Sequence, residues 1–555
     1  MITCIQQGKD IIVYFKYDIK KIALIKRMPK SKYNPKNRSW CIPSKDLNIL
    51  LKLFKDFKIN LDVDDSCIRD SKPQFDKQNI YSNFEFKTKP FAHQLDCFKY
   101  GIRHEKFLLG DEQGLGKTKQ AIDIAVARKG QFKHCLIVCG VNSLKWNWLE
   151  EIKIHSHEKG HLIGGKWSKG KIPTLKDGTI KDRIKDLKEI DNIDSYFLVT
   201  NIETLRNKDI QKLLEKLTSD GTIGMTIIDE IHKAKNPQSQ QGKAIHKLKS
   251  FYKIALTGTP LLNTPVDLYN VLKWLEEEHA SFYRFRNRYC IMGGFGGYEV
   301  VGYKNLAELQ NRVNSIMLRR LKKDVLDLPD KIYNIEYVEM NVKQKQIYKQ
   351  VESVIKQDID LIKSSPNPLA KLIRLRQATG YTGILSSTIK ESAKFERLKE
   401  LVEQLTNSGH KVVVFSNWTS ITDPVVKLLN KYNPAVITGD TQDRMSEVNR
   451  FQNDENCKVI VGTISAMGTG LTLTAGSYVI FLDSPWTMGE KEQAVDRCHR
   501  IGTKSTVNVI TLVCKNTIDE KIEQVVNKKG EISDILIDNK MTPTNKSMLV
   551  DYLIS

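Results

Sequence analysis

The sequence predicts an α/β protein with two parallel-sheet lobes, helical insertions and a small α+β accessory domain at its N-terminus. Two sets of short apolar runs support the lobes. The first set is CLIVC (135–139), YFLVT (196–200), MTIID (225–229) and KIALT (253–257). The second set, after residue 410, is KVVVFS, KVIVG, YVIFL and VNVITLV. None alternates polar with apolar residues, so each is expected to be buried on both faces, which is typical of a parallel sheet covered by helices.

The five predicted regions follow from this pattern. Residues 1–88 combine strand-like and helical stretches and form the accessory domain, and residues 89–262 form the first lobe. Residues 263–405 are mostly helical and charged, and are expected to be insertions and an inter-lobe linker that includes a mobile glycine-rich connector, GGFGGYEVVG. Residues 406–515 form the second lobe. Residues 516–555 begin with an amphipathic helix that is expected to pack on it.

Composition excludes some classes of protein. With 555 residues, two to four domains are expected, and no apolar run is long enough to span a membrane. The N-terminus, MITCIQQGKD, lacks the layout of a signal peptide, and the ten cysteines are scattered singly, so a cytoplasmic rather than a secreted protein is expected. The formal charge of +22 favours a polyanionic partner, nucleic acid first, but a lysine-rich proteome explains it equally well.

A phosphate-binding loop is predicted in FLLGDEQGLGKT (107–118). Gly114 and Gly116 let backbone N–H groups turn inward, and the following helix directs its positive end to the same place. Lys117 supplies a charge for the β- and γ-phosphates, and the Thr118 hydroxyl is placed to hold Mg²⁺. The loop departs from the general pattern at Asp111, where a glycine is expected.

Two further motifs follow buried strands. Asp229 and Glu230 end the run MTIID–E, where one carboxylate can hold Mg²⁺ and the other can polarise a water. Thr257 opens the turn TGTP, whose hydroxyls could relay the state of the nucleotide. Arg497 and Arg500, three residues apart in QAVDRCHRIG, are expected to share one helix face and to reach the γ-phosphate when the lobes close. A surface salt-bridge pair is the alternative for these arginines.

Near the N-terminus, Tyr33, Arg38 and Trp40 form a basic–aromatic cluster of the kind that stacks on bases. A small core that simply buries the tryptophan explains the same residues.

Taken together, the ordered motifs of residues 90 to about 535 resemble those of Swi/Snf-type ATPases of helicase superfamily 2. The matching stretches are FAHQLDCF, DEQGLGKT, VNSLKWNWLEE, VTNIETL, DEIHKAKN, ALTGTPLLN, LRRLKKDVL, SNWTS, GTISAMGTGLTLTAGS, DSPW and QAVDRCHRIGT. The loop of that family is D-E-x-G-x-G-K-T, which accounts for Asp111. The resemblance implies two RecA-like lobes and a DNA-dependent ATPase.

The resemblance also implies a role for each matching residue. Gln94 would read adenine, so that the nucleotide is ATP, and the phosphate loop with its Asp111, Gly114, Gly116, Lys117 and Thr118 would bind it. Asp229 would hold Mg²⁺ with Thr118, and Glu230 would be the general base. Gln493, Arg497 and Arg500 would complete the site from the second lobe. The residues that would grip the phosphates of one DNA strand are Ser143, Thr200, Asn201, Ser416, Asn417 and Thr463.

The N-terminal stretch YNPKNRSWCIP, with RYC (288–290) and KNLAEL (304–309), also resembles the HepA-related (HARP) segment of annealing helicases. The expected protein is a monomeric motor of bacterial or viral type that acts on duplex or forked DNA without sequence preference, through translocation, strand annealing or fork remodelling. An RNA-directed DExH ATPase and a non-catalytic DNA-binding scaffold remain as alternatives.

Overall fold

The computed structural model describes the following residues: 2–7, 10–15, 18–26, 28, 31–35, 37, 39–43, 50, 61–63, 84–142, 144–168, 175–258, 264–293, 296, 299–357, 369–468, 470–503 and 505–527. Among them, no helix has both the length and the apolar character that a membrane span requires.

The N-terminal region folds as a five-stranded sheet with one helix against it. Its elements are β1 (Ile2–Gln7), β2 (Asp10–Phe15), α1 (Ile19–Ile25), β3 (Lys32–Asn34), β4 (Ser39–Pro43) and β5 (Leu61–Val63). The strand order is β3-β4-β2-β1-β5, with only the β1–β5 pairing parallel. Most of the second predicted helix, DLNILLKLFKDF, lies outside the described residues.

The first lobe alternates strands with helices. The strands are β6 (Lys106–Leu109), β7 (His134–Cys139), β8 (Gly160–Leu162), β9 (Lys166–Trp167), β10 (Leu175–Lys176), β11 (Phe197–Asn201), β12 (Ile223–Asp229) and β13 (Tyr252–Leu256). The helices are α2 (Ala92–Arg103), α3 (Lys117–Ala127), α4 (Leu144–His155), α5 (Ile180–Lys188), α6 (Lys208–Ser219) and α7 (Gln240–Ile245).

Strand β7 shows why the central runs are apolar throughout. Its side chains alternate between two hydrophobic clusters, with Leu136 and Val138 in one and Cys135 and Ile137 in the other. Both faces of the sheet are therefore covered, as expected from the unbroken apolar pattern.

Residues between the lobes contain both helices and strands. The elements are α8 (Leu268–Trp274), α9 (Phe282–Tyr289), β14 (Cys290–Gly293), β15 (Glu299–Tyr303), α10 (Leu306–Asn314), β16 (Met317–Leu318), α11 (Lys322–Val325), β17 (Lys331–Val338), α12 (Val342–Gln357), α13 (Leu369–Gly380) and α14 (Ala393–Asn407). Where a mobile connector was predicted, β14 and β15 pair as an antiparallel hairpin, because the β-branched Val300 and Val301 favour a strand beside the glycines.

The second lobe completes the architecture. Its remaining elements are β18 (Lys411–Ser416), α15 (Thr419–Leu428), β19 (Ala435–Ile437), α16 (Arg444–Asn453), β20 (Val459–Thr463), α17 (Ile464–Met467), β21 (Gly476–Phe481), α18 (Met488–Val495), β22 (Val507–Cys514) and α19 (Ile518–Asn527). Helix α19 packs through Ile518 and Ile522 on Tyr348 of α12 and Leu372 of α13.

Two parallel sheets result. The first has the order β16-β6-β13-β12-β7-β11-β8 and the second β17-β22-β21-β18-β20-β19, and every pairing within them is parallel. The predicted α/β class with two parallel-sheet lobes is confirmed. Strands β16 and β17, both from the region expected to be insertions and linker, extend the first and the second sheet respectively. The domain boundaries themselves remain a prediction.

Candidate nucleotide site and inter-lobe seam

The predicted phosphate loop connects β6 to α3 at the carboxyl edge of the first sheet. Gly114 and Gly116 both have left-handed backbones, with φ of +86° and +76°. A Cβ on Gly114 would lie 2.9 Å from Arg500 Cβ, and one on Gly116 would collide with the Gln94 amide. Glycine is thus required at both positions by backbone conformation and by space.

Lys117 begins α3 and reaches back over the loop. Its Nζ donates to the carbonyl of Asp111 at 2.8 Å and to that of Glu112 at 3.2 Å. Burial lowers the pKa of Lys117, and the nearby carboxylate of Glu230 opposes that shift. Thr118 follows in the same first turn of α3, so the structure brings the loop, the lysine and the hydroxyl together at a helix N-terminus.

Asp111 is placed differently from expectation. It was predicted to be part of the nucleotide-binding set, but it is fully buried and its carboxylate is engaged by protein. Its Oδ1 accepts from the Arg320 backbone N–H at 3.1 Å and from Nε at 3.0 Å, and Gln120 Nε2 donates to Oδ2 at 3.2 Å. Arg320 Nη2 also donates to Oδ2, so each carboxylate oxygen accepts two hydrogen bonds from the protein and Asp111 braces the loop. A contact of Asp111 with the nucleotide stays a prediction.

Asp229 and Glu230 end β12 beside this loop. Trp148 Nε1 donates to Asp229 Oδ2 at 2.9 Å, and the Glu230 backbone N–H donates to Oδ1 at 2.9 Å. Glu230 has a left-handed backbone, with φ of +49°, a strained conformation for a residue with a side chain. Gly140, which follows β7, makes room for this turn, because a Cβ there would lie 2.7 Å from the Glu230 carbonyl oxygen.

The two carboxylates have opposite electrostatic environments. Burial raises the pKa of Asp229, and the neighbouring charge of Glu230 adds to the shift. Burial also acts to raise the pKa of Glu230, but His232, Lys117 and Arg497 outweigh it and lower that pKa. Glu230 is therefore the carboxylate that stays ionised, which suits a proton acceptor, while Asp229 gains from a cation that would neutralise it.

The turn after β13 lies against the same loop. His232 Nδ1 is 3.3 Å from the Thr257 hydroxyl and 3.2 Å from Glu230 Oε2. A Cβ on Gly258 would lie 3.1 Å from Lys117 Nζ. The turn predicted to relay the nucleotide state thus lies beside the lysine and the carboxylate, although Thr259 and Pro260 lie outside the described residues.

The second lobe meets the loop through Arg497. Its Nη2 donates to Gln113 Oε1 at 2.9 Å, and its Nε donates to the Gly468 carbonyl at 3.0 Å. Burial lowers the pKa of Arg497 to about 10, with the charge of Arg500 as the next cause, but the guanidinium stays charged at neutral pH. Arg500 Nη1 donates within its own lobe, to Thr472 Oγ1 at 2.9 Å and to the Leu471 carbonyl at 3.2 Å.

The expectation that both arginines share one helix face is wrong. Helix α18 ends at Val495, and tight turns follow, with the Cys498 N–H bonded to the Val495 carbonyl at 2.9 Å. Thr503 Oγ1 holds that turn by accepting from the Arg500 N–H at 3.0 Å. Gln493, in the last turn of α18, is half-buried, and its carbonyl accepts from Arg497 Nε at 3.3 Å.

Gln94 lies in the first turn of α2 and is buried. Its Oε1 accepts from the Phe91 N–H at 3.1 Å and its Nε2 donates to the Leu115 carbonyl at 3.3 Å. In this arrangement the amide caps its own helix and supports the phosphate loop, and adenine recognition by Gln94 stays a prediction.

The residues predicted to grip DNA lie at the carboxyl ends of strands, but their side chains are mostly engaged. Thr200, Ser416 and Thr463 are at most 3% exposed. Asn201 Nδ2 donates to Asn142 Oδ1 at 2.8 Å. Asn417 donates to Asp483 Oδ2 at 2.6 Å through its backbone N–H and at 3.0 Å through Nδ2. These side chains shape the loops at the sheet edges, and Ser143 lies outside the described residues.

Trp40 belongs to the core of the accessory sheet. It is 8% exposed and packs with Ile11, Val13 and Ile42, so its ring is not presented for stacking on a base. Tyr33, 50% exposed and 5.2 Å from Trp40 between ring centroids, is the aromatic side chain on the surface there. Burial of the ring disfavours stacking of Trp40 on DNA, and the DNA contact of this residue stays a prediction. Arg38 lies outside the described residues.

Sequence reasoning missed several partners of these residues. Trp148 and Gly140 hold the Asp229–Glu230 turn, and Gln113 receives Arg497. Trp148 lies in the motif stretch VNSLKWNWLEE, where a tryptophan N–H is available as a buried donor. Gln113 has no such signal, because its partner is 384 residues away.

Comparisons with known proteins agree with this geometry. Residues 55–382 match the SNF2-related domain and residues 393–502 match the helicase conserved C-terminal domain. Mouse DNA annealing helicase and endonuclease ZRANB3 is 28% identical over 476 residues, which are 82% of this chain and 41% of that protein. The putative ATP-dependent helicase/translocase YwqA of Bacillus subtilis is 27% identical over 500 residues, which are 84% of this chain and 50% of that protein.

Two more likenesses cover most of the chain. The Caenorhabditis elegans homologue of SWI/SNF-related matrix-associated actin-dependent regulator of chromatin subfamily A-like protein 1 is 27% identical over 545 residues, 94% of this chain and 74% of that protein. The Sulfolobus solfataricus SWI2/SNF2 ATPase core in complex with dsDNA is 25% identical, with a TM-score of 0.38, covering 84% of this chain and 96% of that one. Because the first domain match alone spans more than half of the sequence, the chain belongs to the SNF2-related family of helicase-like ATPases.

Proposed function

We propose that this protein is an ATP-driven motor that tracks along DNA. The observation that carries the proposal is the hydrogen bond between Arg497 of the second lobe and Gln113 of the phosphate loop, 2.9 Å long. This hydrogen bond joins residues from both lobes at the proposed nucleotide site. The site is therefore complete only when the lobes are closed. Such a division couples the state of the nucleotide to the relative position of the lobes.

The residues present fit ATP and Mg²⁺. Within the described part of the chain, Gln113 Nε2 is buried beside the loop without a hydrogen-bond partner, and the buried Glu230 Oε2 lies 3.2 Å from His232 Nδ1. The phosphate loop contains the two glycines with left-handed backbones. Thr118 and Asp229 would hold Mg²⁺, which when bound neutralises phosphate charge. Lys117 binds the phosphates, and Glu230, kept ionised, accepts the proton of the attacking water.

DNA is the proposed track because of charge and of the relatives. The chain carries a formal charge of +22, which favours a polyanion. One similar protein is named a DNA annealing helicase and another a putative ATP-dependent helicase/translocase. The loops after β11, β18 and β20 lie at the carboxyl edges of the two sheets. We propose that backbone N–H groups of these loops and their few accessible side chains grip phosphates without reading sequence.

The accessory sheet is the proposed reader of forked DNA. Its exposed Tyr33 could stack on a base at a junction, where paired strands separate. The finer function would then be fork remodelling, or strand annealing as in the name of the mouse relative. Monomeric action is part of the same proposal.

An ATPase assay on the full chain tests these proposals. The rate is measured without nucleic acid and with single-stranded DNA, blunt duplex, forked duplex and duplex RNA. Stimulation by DNA supports the motor, stimulation by RNA above that by DNA supports the RNA-directed alternative, and no hydrolysis at all supports a scaffold.

A surface variant tests the fork preference. Tyr33→Ala is expected to remove extra stimulation by forks while leaving that by blunt duplex. Tyr337→Ala is the matched control, because this tyrosine is 52% exposed at the edge strand β17 of the second lobe. Equal fork preference in both variants would reject the accessory sheet as a junction reader.

A further inference from the structure

The segment 317–331, here called the strap, joins the two lobes and is bonded to each of them. On the side of the first lobe, the Gly110 N–H donates to the Leu318 carbonyl at 2.8 Å and the Glu112 N–H donates to the Arg320 carbonyl at 3.0 Å. Arg319 Nη1 donates to the Gly110 carbonyl at 3.1 Å. The strap thus extends the first sheet along the start of the phosphate loop itself.

The far end of the strap is fixed to the second lobe. His499 Nε2 lies 2.7 Å from the Pro329 carbonyl oxygen, and Lys331 Nζ donates to Glu492 Oε2 at 2.6 Å. The Val507 N–H donates to the Asp330 carbonyl at 3.1 Å, where β17 begins its pairing with β22. The segment that contains Arg497 and Arg500 is therefore held from the strap as well as from its own lobe.

Lys322 is where these two sets of contacts meet. Its backbone N–H donates to Glu112 Oε2 in the phosphate loop at 2.7 Å. Its Nζ donates to Asp496 Oδ1 at 2.6 Å and to the His499 carbonyl at 2.7 Å. The side chains of Lys322 and Asp496 are each 5% exposed.

The surroundings of the Lys322–Asp496 ion pair leave Lys322 protonated and pack its side chain against the phosphate loop. Burial lowers the pKa of Lys322 to about 8, and Asp496 opposes the shift, so the ammonium is mostly protonated at pH 7. Lys322 Cε lies 3.1 Å from the place that a Cβ on Gly114 would take. A buried ion pair with this geometry favours one arrangement of its partners. Without the charge of Asp496 the Lys322 ammonium would lose its anionic partner, and without the charge of Lys322 Asp496 would keep only the longer contact with Lys331 Nζ, at 3.3 Å.

Two bridges run side by side from the loop to the second lobe. In the first bridge, Gln113 accepts a hydrogen bond from Arg497. In the second, Lys322 contacts both Glu112 and Asp496, the residues that precede Gln113 and Arg497. We propose that Lys322 is a positioning residue that sets the place of Arg497 against the phosphate loop, and this inference rests on the proposed ATPase function. Lys322 would act through Asp496 and Glu112, the residues that its ammonium and its backbone N–H contact.

The test uses full-length Lys322→Met, which keeps an unbranched side chain one atom shorter than lysine and removes its charge. Turnover is expected to fall by about 10²-fold, because a small displacement of a transition-state group has that cost. The affinity for a fluorescent ADP analogue is expected to change by less than about threefold, since the loop and Lys117 are intact. Asp496→Asn, which hardly alters shape, is expected to reproduce the result, and the double variant should be no slower than the slower single variant.

Lys491→Met is the matched control. Lys491 lies on α18 in the same lobe and forms an equally buried ion pair with Glu523 of α19, 2.5 Å long and 4% exposed on each side, which joins two helices of that lobe. It should lose stability without a comparable loss of turnover at a temperature where all variants are folded. The inference is overturned if Lys322→Met turns over like the wild type, if Lys491→Met is equally slow, or if the double variant shows additive losses.

The ATPase rates with and without DNA distinguish a failure of this inference from a failure of the proposed function. Each variant is measured with and without duplex DNA. A wild type that hydrolyses ATP but is not stimulated by DNA would reject the motor, and the basal rates would still decide the role of Lys322.

Discussion

Arg497 Nη2 lies 2.9 Å from Gln113 Oε1, and this hydrogen bond joins residues 384 positions apart. It connects the turn after α18 of the second lobe to the middle of the phosphate loop of the first. Gln113 itself is 6% exposed, so the contact is shielded from water and is sensitive to small movements of either lobe. Of the two candidate arginines, Arg497 is the one that touches the loop in this arrangement.

Arg497→Ala is expected to retain nucleotide binding and to lose about 10³-fold in turnover, the lower end of what an arginine finger contributes. The loss should appear in kcat rather than KM, because the contact completes the site after the phosphates are bound. Arg500→Ala tests the same role for the second arginine. Arg450→Ala, which removes an ion pair with Glu447 on the surface of α16, is the control and should be unaffected. A near-normal kcat in Arg497→Ala would exclude it as a finger.

Lys117→Ala is expected to abolish productive nucleotide binding, since its Nζ lies at the loop carbonyls where the phosphates would be received. Calorimetric titration with ADP measures this directly. Lys119→Ala serves for comparison, because Lys119 is a buried lysine two residues further along α3 that pairs with Asp123 at 2.6 Å. That variant should be less stable than the wild type but should still bind. Equal affinities in all three proteins would contradict a phosphate-binding role for Lys117.

Gly116→Ala, compared with Gly130→Ala, separates the effect of backbone strain on stability from the effect of a steric clash on nucleotide affinity. The left-handed backbone costs an alanine roughly 1–2 kcal/mol anywhere, but at this position the new Cβ would also push into the Gln94 amide. Gly130→Ala is the matched control, with φ of +94° and nothing within 4 Å of the added carbon. Both variants are expected to lose similar stability in thermal unfolding, and only Gly116→Ala to lose nucleotide affinity. If Gly130→Ala lost affinity equally, the cause would be general strain and not the loop.

Local pattern predicted much of the fold and part of the candidate site. The apolar runs indicated parallel strands because burial of Leu136 and Ile137 on opposite faces leaves no polar alternation. The glycine loop and the Asp229–Glu230 turn were predictable because the residues of each motif are consecutive or nearly so in the chain, whereas the distant residues that hold them, such as Trp148, were not predicted.

Local sequence pattern could not predict which residues are buried by partners far away in the sequence. Asp111 accepts hydrogen bonds from Arg320, 209 residues away. Trp40 is buried in a hydrophobic core formed by several strands of the accessory sheet. Spacing alone also predicted a helix through Arg497 and Arg500, whereas the helix ends at Val495, where tight turns held by Thr503 follow. Such outcomes depend on tertiary partners, which a single sequence does not show.

Trp148→Phe is expected to impair catalysis without touching the nucleotide. It removes the N–H that Asp229 Oδ2 accepts at 2.9 Å, leaving a buried carboxylate oxygen without that donor. The pKa of Asp229, already raised by burial, should rise further, so the pH at which ATPase activity begins should shift upward. A pH–rate profile measures the shift. Trp274→Phe is the control, because Trp274 of α8 is similarly buried in a hydrophobic cluster against the first sheet. An unchanged profile in Trp148→Phe would contradict the role of this hydrogen bond.

His246 is expected to make the first lobe sensitive to acid. Its Nε2 lies 2.6 Å from Asn270 Oδ1, and Asn270 Nδ2 donates to the Ala234 and Gly242 carbonyls, so the amide is fixed and the imidazole must donate. Burial lowers the pKa of His246 to about 4, helped by the charges of nearby lysines and opposed by Asn270. Because the unfolded chain takes up this proton near pH 6.5, stability should fall as the pH drops from about 6.5 to about 4.

Between pH 7 and pH 5 the His246 contribution amounts to at most about 2 kcal/mol. His246→Gln keeps a donor for Asn270 but does not titrate, so its loss of stability over this range should be smaller by that amount. Hydrogen–deuterium exchange of α7 and α8 at the two pH values reports the effect locally. His157→Gln, at an exposed position, should retain the full loss of the wild type. If His246→Gln and the wild type lost equal protection on acidification, the buried imidazole would not be the source of the acid sensitivity.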